Sequence, residues 1–138
     1  MTNEVKKLKE LIEGTDNIVF FGGAGVSTES GIPDFRSTDG LYHQEWKYPP
    51  EVILSHTFYE SNPAEFFRFY RAKMLAPDAK PNAAHLKLAE WEAQGKLRAI
   101  VTQNIDNLHQ LAGSRRVYEL HGSVHRNYCE KCGKFHSF

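Results

Sequence analysis

The run Gly23-Ala24-Gly25-Val26-Ser27-Thr28-Glu29-Ser30-Gly31-Ile32-Pro33-Asp34-Phe35-Arg36 concentrates residue types that serve nucleotide chemistry. It follows an apolar stretch, Ile18-Val19-Phe20-Phe21. Where a strand empties into closely spaced glycines, backbone N–H groups can approach a phosphate with no Cβ in the way. Beyond the glycines stand a carboxylate held by a preceding proline (Asp34), an aromatic ring (Phe35) and a guanidinium (Arg36). Arg36 can pair with a phosphate through two parallel hydrogen bonds. Phe35 can cover a ring face or keep water from a reactive centre. The dinucleotide fingerprint G-x-G-x-x-G asks for glycine where Thr28 stands, so that motif is met only in part. A bare strand-to-helix turn has no use for the Asp34-Phe35-Arg36 tail, and the run is expected to hold a nucleotide.

Three further groups could do chemistry. In Thr102-Gln103-Asn104-Ile105-Asp106, two side-chain amides stand beside a carboxylate. Together they offer the donors and acceptors that a planar carboxamide needs. Capping a helix, the structural use of Asn104 or Asp106, takes only one of them. His121 ends the apolar run 117–120 and precedes Gly122. An imidazole at a strand end can serve as a general base near neutral pH. Of the seven histidines, His85 reads as structural, while His43 and His109 have no assignment. Cys129-Glu130-Lys131-Cys132-Gly133 admits a redox pair, a chance pairing or a zinc knuckle. The glycine favours the knuckle, because it permits the tight turn that points N–H groups at thiolates. A structural zinc takes four ligands, and the chain has two cysteines, with His125 and His136 as the substitutes at hand.

These groups need elements to position them. Val5, Leu8, Leu11 and Ile12 share one helical face, closed by Gly14. Residues 17–21, 97–101 and 117–120 read as strands, the first two buried. Helices are expected over 63–74, opened by Asn62 and Pro63, and after Pro81-Asn82, with Leu86, Ala89 and Ala93 inward and Gly95 as terminator. The second strand runs into a polar turn and a short helix ending at Gly113. Between 37 and 62 the chain is rich in turn residues and aromatics, as functional loops often are. Apolar strands alternating with helices predict a parallel α/β sheet. Ligands on such sheets bind at the carboxyl ends of the strands, so 23–36, 103–106 and His121 are expected to meet in one crevice.

The 138 residues suffice for one domain with a core. Seventeen basic residues balance seventeen acidic ones, which leaves no excess charge for a nucleic-acid backbone or an anionic membrane. No apolar run approaches a membrane span, and the N-terminus lacks the apolar region of a signal peptide. Two cysteines make no disulfide scaffold, and a reducing, cytoplasmic setting is expected.

Four segments in order resemble the sirtuins, the NAD-dependent protein lysine deacylases: the glycine run, 102–109, Glu119-Leu120-His121-Gly122, and Cys129-x-x-Cys132-Gly133. The resemblance implies a Rossmann-like parallel sheet with helices on both faces plus a small zinc ribbon. Residues 1–124 would be the N-terminal part of the NAD domain, with a cofactor-binding loop at 34–62, and 125–138 the start of the zinc module. It implies NAD as co-substrate on Gly23, Ala24, Gly25, Ser27, Ile32, Asp34, Phe35, Arg36, Gln103, Asn104, Ile105 and Asp106. Asn104, Ile105 and Asp106 would line the nicotinamide pocket with Ala24, Ile32 and Phe35, and Gln103 would contact the adjoining ribose. His121 would take a proton from a ribose hydroxyl, and Cys129 and Cys132 would hold zinc. The implied partner is an acetylated lysine in a protein or peptide, and the products are nicotinamide, free lysine and 2′-O-acyl-ADP-ribose. Family members that remove acidic acyl groups carry Tyr-x-x-Arg where this chain has Phe67 and Tyr70, so an uncharged acyl group is expected. The second cysteine pair, the substrate loop and the adenosine-holding strands of the family have no counterpart up to Phe138. The chain therefore reads as a fragment, inactive and weak in zinc binding by itself. Two rival readings are a non-catalytic NAD or ADP-ribose binding module and a protein ADP-ribosyltransferase.

Overall fold

The computed structural model describes residues 2–137. They fall into two compact units, Met1–Gly23 with Pro81–Phe138, and Ala24–Lys80. Met1 and Phe138, the outer bounds of the segments expected from sequence, lie outside the described residues.

The first unit is built on three parallel strands, β1 (Ile18–Gly22), β2 (Leu97–Thr102) and β3 (Val117–Glu119), in the order β1-β2-β3. Their β-branched and aromatic residues suit a pleated surface. Phe20 pairs with Ile100 and Ile100 with Val117 in register. These three side chains share one face and pack with Leu88, Trp91 and Leu97. Ile100 has no exposed surface, and full burial of such a side chain contributes roughly 1.5–3 kcal/mol. The other face carries Val19, Phe21, Tyr118 and Leu120, which are 56–63% exposed. This corrects the expectation of buried strands and of helices on both faces: among the described residues, helices bury one face only. Alternation in the strands is therefore one-sided, although both sides are apolar in type.

Helix α1 (Asn3–Glu13) starts at Thr2, whose Oγ1 accepts the Val5 N–H at 3.5 Å. Its apolar face stays exposed at Val5, Leu8 and Leu11. Lys96 Nζ donates to the carbonyls of Ile12 (3.4 Å) and Glu13 (3.3 Å), setting a cation where the helix dipole is negative. Helices α2 to α4 belong to the second unit. Helix α5 (Ala83–Ala93) opens with a reciprocal cap: Asn82 Oδ1 accepts the Ala84 N–H at 3.0 Å, and the Asn82 N–H donates to His85 Nδ1 at 3.3 Å. His85, Leu88 and Trp91 face inward, whereas Leu86 is exposed. The expected inward set of Leu86, Ala89 and Ala93 is out of phase, because alanines carry little directional signal and a histidine reads as polar. Farther along α5, the Glu92 carboxylate accepts the N–H groups of Arg115 (2.8 Å) and Arg116 (2.9 Å), which fixes the approach to β3.

Helix α6 (Leu108–Leu111) brings His109 into the same core, 1% exposed. Its ring lies 4.8 Å from that of His85 and 6.0 Å from that of Phe20. His85 is thus structural, as its sequence context implies, and His109 is its packing partner. His85 Nε2 and both His109 nitrogens have no hydrogen-bond partner among the described residues. Burial pushes the His109 pKa down to about 4; His85 adds to the shift, and the carboxylates of Asp106 and Glu119 oppose it. Burial lowers His85 as well, against the pull of Asp106.

The remaining residues of the first unit form an antiparallel hairpin, β4 (Asn127–Tyr128) with β5 (Phe135–His136).

The second unit holds a 3₁₀ helix at Ala24–Ser30, a shorter one at Leu41–His43, and helices α2 (Pro50–Ile53), α3 (His56–Ser61) and α4 (Pro63–Phe69). The stretch expected to be an irregular loop therefore contains short helices. Asn62 caps α4 as expected, its Oδ1 accepting the Glu65 N–H at 3.3 Å. The helix expected over 63–74 changes to a π turn at Tyr70–Met74. Ile53, Phe69 and Leu41 are buried, and the Trp46 ring lies 5.3 Å from that of Phe69.

Residues 34–42 form a closed loop. The Leu41 N–H donates to the Asp34 carbonyl at 2.8 Å, and the Tyr42 N–H to that of Phe35 at 3.0 Å. Gly40 sits inside it: a Cβ there would lie 2.8 Å from the Phe35 carbonyl carbon and 2.9 Å from the Arg36 nitrogen. The Asp39-Gly40 dipeptide marks a turn in the sequence, but not one without room for a methyl group.

Two outcomes are expected. A folded pKa of about 4 for His109 lies below the ordinary histidine value, so its contribution is complete above about pH 6.5 and is lost as pH falls toward 4. Urea unfolding should show an acid loss of about 3 kcal/mol over that window, and His109→Phe should flatten most of it. An equal acid loss in the variant would refute the assignment. Gly40→Ala should destabilise the 24–80 unit by roughly 1–3 kcal/mol, since backbone atoms must move. Limited proteolysis at Arg36 reads this out, and a wild-type cleavage rate would contradict it.

Candidate functional site

The three parallel strands end level. Gly22 pairs with Thr102, and Thr102 with Glu119. Each then releases a polar turn at the same edge. Backbone bonds tie the turns: the Gln103 N–H donates to the Gly22 carbonyl at 3.0 Å, and the Leu120 N–H to the Thr102 carbonyl at 2.9 Å. Farther out, the Val124 N–H donates to the Ile105 carbonyl at 3.1 Å, and Val124 is buried. The turn carrying His121 is thus fastened to the turn carrying Gln103, Asn104, Ile105 and Asp106.

Within the second turn the roles divide. Thr102 Oγ1 accepts the Asn104 N–H at 3.0 Å, which seats Asn104 as a buried amide, 8% exposed. Asp106 Oδ1 accepts the Leu108 N–H at 3.0 Å and so caps α6. The structural use of Asp106 therefore holds, and Asn104 is the buried amide of this turn. Asn107 takes the left-handed conformation, φ +63°, which asparagine tolerates better than most residues. Gln103 is exposed, and a Cβ on Gly23 would lie 3.2 Å from its Oε1. Glycine at 23 gives the Gln103 amide room beside the backbone. His121 is exposed and receives no hydrogen bond from the described residues. Gly122, φ +78°, turns the chain behind it.

The remaining candidate residues of the glycine run belong to the second unit and are described there. A 3₁₀ helix of seven residues, Ala24–Ser30, is longer than most. It is closed by Thr28 Oγ1 donating to the Gly25 carbonyl at 3.0 Å and by the Ile32 N–H donating to the Ser27 carbonyl at 3.3 Å. Ser27 is fully buried. Around Gly25 nothing lies within 4 Å of a Cβ position, so its bare backbone is open to a ligand. Asp34 Oδ1 accepts the Ser37 N–H at 2.8 Å, and hydrogen bonds from Ser37 hold this carboxyl below its usual range. Asp34 thereby shapes the loop that presents Phe35 and Arg36. The Phe35 ring contacts that of Tyr42 at 5.6 Å. Arg36 is exposed and unpaired with any carboxylate among the described residues. A concavity of 610 Å³ lies farther along, lined by Tyr42, Trp46, Tyr48, Pro49 and their neighbours. These residues lie in the 34–62 loop expected to bind cofactor, but none was singled out individually, because an aromatic-rich stretch with no regular spacing does not reveal a hollow.

Cys129 and Cys132 are free thiols at the hairpin turn. The Gly133 N–H donates to the Cys129 carbonyl at 2.8 Å, and Gly133 has φ +69°. Hydrogen bonds from the Cys132 and Lys131 backbone favour the Cys129 thiolate. Among the described residues no set of three or more His, Cys, Asp or Glu is placed to hold a metal. No described helix is long and apolar enough to cross a membrane.

The Sir2 family profile matches residues 23–137. An NAD-dependent protein deacetylase of Clostridium acetobutylicum is 63% identical over 136 residues, covering 97% of this chain and 56% of the relative. One of Clostridium perfringens is 59% identical, covering 99% and 57%. Among solved structures, a complex of Sir2 with a p53 peptide and NAD+ superposes with a TM-score of 0.81 at 42% identity, covering 99% of this chain and 52% of that one. A mutant Sir2 homologue in complex with ADP-ribose gives a TM-score of 0.84 at 37% identity, covering 100% and 53%. The chain spans about half the length of the relatives it matches. With the level strand ends, the tied turns and the 44%-identical Sir2 enzyme structure at a TM-score of 0.85, the chain belongs to the Sir2 family and has its α/β, Rossmann-like fold.

Proposed function

We propose that this chain supplies the NAD site and general base of an NAD-dependent protein lysine deacylase. The observation that carries the reading is the Val124 to Ile105 bond, which holds the His121 turn against the Asn104–Asp106 turn. Bound NAD supplies a nicotinamide leaving group on a ribose carbon and an adjacent diol. Asn104 offers a buried amide to a carboxamide, and Asp106 stands beside it. The open backbone at Gly25 suits a pyrophosphate, and the unpaired Arg36 suits its charge. Phe35 is assigned to exclude water. His121 takes a proton from a ribose hydroxyl, and its freedom from other hydrogen bonds leaves the ring available. The acyl group of an acetyl-lysine peptide is transferred to ADP-ribose.

An uncharged acyl group is the proposed substrate. Phe67 and Tyr70 lie in an aromatic cluster with Tyr59 and Phe66. Arg68, one of two arginines near enough in sequence to bind an acidic acyl group, donates to Glu65 at 2.6 and 3.0 Å and lies over the Trp46 ring. Cys129 and Cys132 are proposed as two of four zinc ligands. Their free thiols, the tight Gly133 turn and the N–H groups favouring the thiolate fit that role. The proposed domain boundary lies at 124/125, and the free thiols accord with a reducing, cytoplasmic compartment.

In the full-length protein, His121→Ala should lower turnover by roughly 10²–10⁴ and leave NAD binding largely intact. Nicotinamide release with an acetyl-lysine peptide measures the first and calorimetric titration the second; wild-type turnover would remove the general-base assignment. On a peptide panel, acetyl-lysine should be cleaved faster than succinyl-lysine. The opposite order would overturn the acyl preference.

A further inference from the structure

His121 takes no hydrogen bond from the described residues, so the chain on either side of it must decide where its ring lies. Downstream the turn is wound on itself. The His125 N–H donates to Ser123 Oγ at 3.2 Å, and Asn127 Nδ2 donates to the Val124 carbonyl at 3.0 Å. This small body is pinned in its middle by Val124, which is buried and bonded to Ile105. Its far end is pinned by a side chain: Arg126 Nη1 donates to Glu119 Oε2, on the last residue of β3. The Glu119 side chain is only 5% exposed, whereas that of Arg126 is 48% exposed. Glu119 and Arg126 thus close a bracket around His121 and Gly122.

We propose that Arg126 is a positioning residue for His121, acting through Glu119. A carboxylate so nearly shut away from water is costly without its cation. Without Arg126, the cheapest relief is for Glu119 to turn toward solvent. That movement unseats the end of β3, two residues before the imidazole. Lysine can supply the charge, without the guanidinium's fork.

The proposal rests on His121 being the general base, and the test separates the two. Steady-state deacetylation of an acetyl-lysine peptide is measured in the full-length protein for Arg126→Ala, Arg126→Lys, Glu119→Gln, the Arg126→Ala/Glu119→Gln double variant and His121→Ala. Arg126→Ala should lower kcat by roughly tenfold with KM for NAD unchanged, the signature of a displaced catalytic group. Arg126→Lys should recover most of kcat together with the melting temperature that Arg126→Ala loses by leaving Glu119 unpaired, and added guanidinium should partly rescue kcat in Arg126→Ala. The double variant should be no worse than Arg126→Ala alone, since the two side chains act as one unit. Wild-type kcat in Arg126→Ala with His121→Ala inactive would sink the bracket and spare the base. Full activity in His121→Ala would remove both. A kcat loss in Arg126→Ala matched by lost thermal stability and not recovered by lysine would reduce Arg126 to a structural role and overturn the proposal.

Discussion

The arrangement depends on the parallel backbone ladder that ends β1, β2 and β3 at one level, Gly22 beside Thr102 and Thr102 beside Glu119. Parallel strands all deliver their carboxyl ends to the same edge, so polar residues placed just after each strand become neighbours. Antiparallel pairing of the same segments would send the 103–106 turn to one edge and His121 to the other. The ladder itself needs only apolar and β-branched residues, and the polar candidate residues stand in the turn at the end of each strand.

Behind that edge the core is less apolar than its volume requires. His85 and His109 occupy buried positions, with three ring nitrogens lacking partners among the described residues. Each unmet buried polar group costs about 1–3 kcal/mol. Hydrophobic residues of similar size would pack there without that cost. The pair lies on α5 and α6, and α6 begins at the residue whose N–H Asp106 caps. The chain thus tolerates a less stable core immediately beneath the candidate turn 103–106, and departures from optimal packing are expected beneath a functional site.

The sheet is covered on one face and open on the other, where Val19, Phe21, Tyr118 and Leu120 meet solvent. The relatives are nearly twice as long as this chain.

Much of this was legible in the residues. Strand and helix types came from β-branched runs, the Asn62-Pro63 and Pro81-Asn82 starts and the glycine stops, because those signals are local. Candidate residues were legible as well, since amides, imidazole and guanidinium carry their chemistry in their type. Local pattern could not show which face of β1 is bare, that His109 is buried against His85, that Gly40 has no room for a methyl group, or that Arg126 reaches back to Glu119. Each of these depends on atoms distant in sequence, or on a loop closing upon itself, and only the folded backbone determines such distances. The sequence by itself determined the chemical groups and the strand–helix alternation that implies a parallel sheet; the tertiary structure decided the strand order and which of these groups are buried or tied, because pairing and burial are properties of packing.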